Sequence, residues 1–140
     1  MNIKIGARFD LDPKNKEEAI RIAIDKRFVS SSEKLLEEVL KREEMASTDV
    51  GNKILIPHAR SKWVKESFLS FLRLKNEIDG TKYIFLIGAK ENEGREYMKI
   101  LTLVARSLLL ESFVSTFETL KSEADFIKAL EDAIEKVKKE

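Results

Sequence analysis

The chain has 140 residues, with 26 Lys and Arg against 25 Asp and Glu, no cysteine and a single histidine. That length suits one domain over residues 1–140, and a formal charge of +1 with acidic and basic residues interleaved gives no field to draw nucleic acid. Without cysteine there is no disulfide, thiolate catalyst or sulfur metal site, and one histidine does not build a zinc centre, so neither a metal nor an organic cofactor is implied.

The opening residues, MNIKIGARFDLDPKNK, contain no apolar signal core, and no later stretch approaches the roughly 18 apolar residues of a membrane span. These features predict a soluble, cytoplasmic protein with no direct membrane insertion. Ile3 and Ile5 alternate with polar neighbours and suggest a short first strand, closed by a turn at Asp12-Pro13. Asn15 followed by Glu18 has the form of a capping box, leading a helix whose Ala19, Ile20, Ala23, Ile24 and Phe28 share a face. Ser30 to Glu33 repeats that signature, and Leu35, Leu36, Val39 and Leu40 carry a second helix to about Glu44.

Residues Ser47 to Lys53 have turn composition, and Ile54-Leu55-Ile56 suits a buried strand. Pro57 cannot donate to a ladder, which predicts that the chain leaves the sheet there and presents His58 at the strand's end. Phe68–Leu74 and Tyr83–Ile87 read as two further strands, a hairpin turning within Asn76–Gly80, and Lys90–Gly94 reads as a polar loop. Met98, Leu101, Ala105, Leu108 and Leu109 then mark a long buried helix, with a short helical piece over Phe113–Leu120 after it. Ser122 to Asp125 caps a last helix with Phe126, Ile127, Leu130, Ile134 and Val137 on its packing face. The order βααβββααα predicts an α/β fold, a single domain with a mixed β-sheet flanked by α-helices.

Reactive side chains converge on Arg42 to Arg60, REEMASTDVGNKILIPHAR. An imidazole, with a model-peptide pKa of about 6.5, serves near neutral pH as nucleophile, base or proton shuttle. No G-x-S-x-G or similar signature marks a serine nucleophile, which leaves direct attack by the His58 ring as the simplest chemical role. A phosphoryl electrophile would need fixed positive charge and hydrogen-bond donors. Arg42 offers a planar fork, Ser47 and Thr48 hydroxyls, and Gly51 room for backbone amides. Each residue also has a structural reading. His58 would be a hydrogen-bonded residue after a strand, Arg42 a charge complementing a helix C-terminus, Ser47, Thr48 and Gly51 a turn, and Trp63 packing.

The combination is more specific than its parts. Arg42-Glu43, Ser47-Thr48, Val50-Gly51 and Ile54-x-Ile56-Pro57-His58 together resemble the phosphorylation-site motif of one IIA family. These are the mannitol/fructose-type IIA domains, EIIA type 2, of the bacterial phosphoenolpyruvate-dependent sugar phosphotransferase system (PTS), a family that includes nitrogen-regulatory members. The likeness runs from near Phe9, through Lys16-Glu17-Glu18-Ala19-Ile20, to near Val137.

The resemblance implies an α/β fold with a mixed sheet. It also implies a histidine that takes a phosphoryl group from the phosphocarrier protein HPr and passes it to a cysteine of a IIB domain. By position His58 matches the phosphoryl acceptor and Arg42 the arginine that stabilises phosphate, with Ser47, Thr48 and Gly51 supporting the site. Three departures stand out: Lys53 and Leu55 replace a usual glycine and alanine, and Tyr97 falls where many members carry a second histidine. A phenol with pKa near 10 hydrogen-bonds to phosphate oxygens but is no proton carrier at neutral pH. The resemblance thus allows a sugar-transport phosphocarrier, a nitrogen-type regulator whose phosphorylation controls partner proteins, or a degenerate domain that no longer accepts phosphate.

Overall fold

Runs rich in Phe, Leu and Ile fold into the centre of one mixed sheet, seen in a computed structural model that describes residues 3–139. The strands are β1 (Lys4–Leu11), β2 (Ile54–Leu55), β3 (His58–Ser61), β4 (Phe68–Ile78) and β5 (Thr81–Lys90). The sheet order is β1-β4-β5-β2, with β3 also on β5. β1 runs parallel to β4, β4 antiparallel to β5, and β2 and β3 parallel to β5. The β4–β5 hairpin closes through Asp79-Gly80, both at positive φ (48° and 81°), the conformation a two-residue hairpin demands. The turn is therefore confined to two residues, and β4 runs on through Asn76 to Ile78.

The chain divides into two compact units, Met1–Gly94 and Arg95–Glu140. The expected domain over 1–140 includes residues 1, 2 and 140, which lie outside the described residues. In the first unit, helix α1 (Lys16–Ala23) starts where the Asn15 side chain accepts the Glu18 N–H, and α2 (Ser32–Met45) where the Ser31 hydroxyl accepts the Lys34 N–H. Helix α1 is shorter than its apolar pattern suggests. Asp25 accepts the Arg27 N–H and starts a separate 3₁₀ turn, Lys26–Phe28. Ala19, Ile20, Ala23, Leu35, Leu36 and Val39 pack into one apolar cluster with Leu55, Phe68, Leu72, Ile84 and Leu86 of the sheet. The opposite face of the sheet is also buried. There Phe71 meets the Phe85 ring edge-on at 5.1 Å and lies 6.0 Å from Phe9.

The second unit is helical: α3 (Gly94–Ser107) leads into it, followed by α4 (Glu111–Val114) and α5 (Glu123–Lys139). The apolar stripe of α3 differs from the expected one. Ile100, Leu103, Val104 and Ser107 are buried, whereas Met98 and Leu109 are 59% and 84% exposed. The helix carries more apolar residues than one stripe holds, and Ser107 is accommodated because its hydroxyl donates to the Leu103 carbonyl at 2.7 Å. Helix α5 begins as its sequence requires, the Ser122 hydroxyl accepting the Asp125 N–H at 3.1 Å, and it buries Phe126, Leu130, Ala133, Ile134 and Val137.

Candidate functional site

Pro57 does not take the chain out of the sheet. β2 ends at Leu55 and β3 begins at His58, and both lie on β5, with Leu55 opposite Ile84 and His58 opposite Ile87. Proline lacks only a donor. Its carbonyl accepts the Ile87 N–H at 3.0 Å, so the ladder continues across the break. His58 therefore opens a new strand rather than closing an old one.

The half-buried His58 ring has Nδ1 2.7 Å from the Ile56 carbonyl oxygen. A carbonyl only accepts, so Nδ1 holds the hydrogen of the neutral ring and Nε2 carries the lone pair. Backbone geometry thus orients the imidazole and sets its tautomer.

The segment before it is built from backbone hydrogen bonds and short polar side chains. Thr48, buried, donates its hydroxyl to Glu43 and its N–H to the same carboxylate at 3.2 Å, tying the loop to the end of α2. Its carbonyl accepts the Ile56 N–H at 3.1 Å, which sets this loop beside the residue that holds His58. Ser47 Oγ accepts the Asp49 N–H at 3.2 Å, and Asp49 Oδ1 accepts the Gly51 N–H at 2.9 Å. Gly51, Asn52 and Lys53 follow at φ of 87°, 53° and 66°. Gly51 thus supplies a left-handed turn, and its amide is taken up by Asp49 rather than standing open. Glu43 carries more of this architecture than sequence inspection assigns to it, its signal being only its place beside Arg42.

Arg42, half-buried on α2, directs Nη1 to the Ala46 carbonyl at 3.1 Å, the helix C-terminal use of arginine. The two substitutions at the motif's glycine and alanine positions have structural duties. Leu55 is buried among the α1 and α2 side chains, and Lys53 pairs with Glu77. Tyr97 lies in α3 within the second unit, whereas Arg42, Ser47, Thr48, Gly51 and His58 all belong to the first. Among the described residues no three His, Cys, Asp or Glu side chains gather as a metal site, and no helix is long and apolar enough to cross a membrane.

The family model for the phosphoenolpyruvate-dependent sugar phosphotransferase system, EIIA 2, matches residues 5–133. The chain belongs to this EIIA type-2 family. It is 33% identical over 110 residues to the PTS system fructose-specific EIIA component of Haloferax volcanii, covering 71% of each chain. It is 31% identical over 114 residues to multiphosphoryl transfer protein 1 of Escherichia coli K12, a match covering 74% of this chain. The chain spans only 14% of that much longer relative. The crystal structure of the nitrogen regulatory protein IIA-Ntr of Neisseria meningitidis superposes with a TM-score of 0.78 at 24% identity, covering 90% of this chain and 92% of that one. An α/β EIIA type-2 fold with a mixed sheet is thereby shown.

Proposed function

We propose that this EIIA type-2 chain is a phosphocarrier in a sugar phosphotransferase system, and that residues 1–140 act as one EIIA type-2 domain. His58 accepts a phosphoryl group from an HPr-like carrier and passes it to a cysteine of a IIB domain. The observation that supports this reading is the contact of His58 Nδ1 with the Ile56 carbonyl. That contact leaves Nε2 as the attacking atom. In the transfer, the Nε2 lone pair forms the new N–P bond while the donor's N–P bond breaks and its electron pair returns to the donor nitrogen. The hydrogen on Nδ1 stays in place. Onward transfer reverses the roles, a cysteine thiolate forming the S–P bond as the His58 N–P bond breaks.

Arg42 stabilises the charge on the transferring group, its guanidinium rotating from the Ala46 carbonyl to the phosphoryl oxygens. Incubation with phosphoenolpyruvate, enzyme I and HPr, followed by intact mass measurement at alkaline pH, tests the reading. One added phosphoryl group is expected, none in His58→Ala and a slower gain in Arg42→Ala. No gain with a compatible HPr would refute the proposal and leave a degenerate domain. Gain without onward transfer to any IIB domain would move the assignment to the nitrogen-type regulatory role.

A further inference from the structure

A phosphoryl group on His58 is open to a cationic donor from the face of β3 that His58 occupies, in addition to Arg42 from the end of α2. Side chains alternate along a strand, so His58 and Arg60 share one face and Ala59 and Ser61 the other. The packing bears this alternation out. Ala59 joins the α1 and α2 cluster, and Ser61 donates its hydroxyl to Glu38 of α2 at 3.1 Å. Helix α2, which carries Arg42, therefore packs against the face of β3 that His58 and Arg60 do not use.

Arg60 is exposed, and among the described residues its guanidinium has neither a hydrogen bond nor an ion pair. It lies instead over Gly94, in the space that a side chain at that position would fill. Its donors are thus uncommitted, and two strand residues span only roughly 6.6 Å. That separation is short enough for an oxyanion on the ring and a guanidinium to meet.

We infer that Arg60 is a phosphoryl-binding residue, donating to the oxygens of the group carried by His58, with Gly94 keeping open the space in which the guanidinium rests. The inference rests on the His58 reading above and adds a second cation to it, on the face of β3 opposite α2. Charge-assisted hydrogen bonds to a developing oxyanion stabilise the transition state, whereas an arginine that only docks the protein donor would alter donor affinity.

The test measures phosphorylation of the full chain by phospho-HPr over a range of donor concentrations, with ³¹P NMR of the product across pH. Arg60→Gln is expected to take up one phosphoryl group with kcat lowered about tenfold or more. Its KM should be little changed and the pH dependence of its phosphohistidine resonance altered. Arg60→Lys should recover part of kcat. Gly94→Ala keeps the arginine but displaces it, and should reproduce part of the loss. Wild-type kcat and an unchanged ³¹P titration in Arg60→Gln would overturn the inference while leaving His58 as acceptor, as would an effect confined to KM. Phosphorylation that persists in His58→Ala would overturn both readings.

Discussion

The β4–β5 hairpin and the segment 46–58 lie in the same unit but are held by different physics. The hairpin is apolar on both faces, with Phe68, Phe71, Phe85, Leu72 and Ile84 fully buried. The segment has little buried apolar surface before Ile54, and Val50 is 52% exposed. Its shape comes instead from Glu43, Ser47 and Asp49 hydrogen-bonding to the chain, and from three consecutive left-handed residues. Apolar burial gives the larger free energy, whereas the polar turn gives position. The difference teaches that the hairpin sets stability and the segment sets where His58 stands.

Two substitutions probe that division and a third lies outside it, in decreasing order of expected effect. Phe71→Ala removes a fully buried ring that touches Phe85 and Phe9, and should cost about 3–5 kcal/mol, read as a lowered urea midpoint at unchanged m-value. Gly51→Ala meets no steric obstacle but must hold φ at 87°, so its cost is conformational, about 1–2 kcal/mol. If the segment sets position, its phosphorylation rate should fall while the far-UV spectrum stays unchanged. An unaltered rate would break the comparison.

The smallest effect lies outside both regions, at Asp25. Burial disfavours its ionised form, but the Arg27 side-chain and backbone hydrogen bonds outweigh this and hold the carboxyl below its usual value near 3.8. A depressed folded-state value means stabilisation that is present above the unfolded value and lost as pH falls through the folded one. The stability gap between the wild type and Asp25→Asn should therefore close on acidification, in urea titrations from neutral to strongly acid pH.

Much of this architecture is legible in the sequence because it is local. Asn15, Ser122 and the Asp79-Gly80 pair act over two to four residues, and the structure uses each as its chemistry dictates. Strand β3 is the element that sequence reading misses. HARS has no apolar alternation, and its pairing is fixed by β5, some thirty residues away in the chain. The α3 stripe is misread for a related reason: a helix with more apolar residues than one face needs leaves the choice to its neighbours. At the candidate site, the turn around Gly51 is legible from Asp-Val-Gly. The bonds from Thr48 to Glu43 and the place of Arg60 over Gly94 are not, because each depends on how folding brings separate elements together.

The carbonyl of Ile56 determines what kind of group steers His58. Histidines that act as nucleophiles or bases are often steered by an aspartate or glutamate, whose own ionisation enters the response to pH. A peptide oxygen does not ionise. At Nδ1 His58 is therefore steered by the backbone, for as long as β2, Pro57 and β3 keep their places on β5.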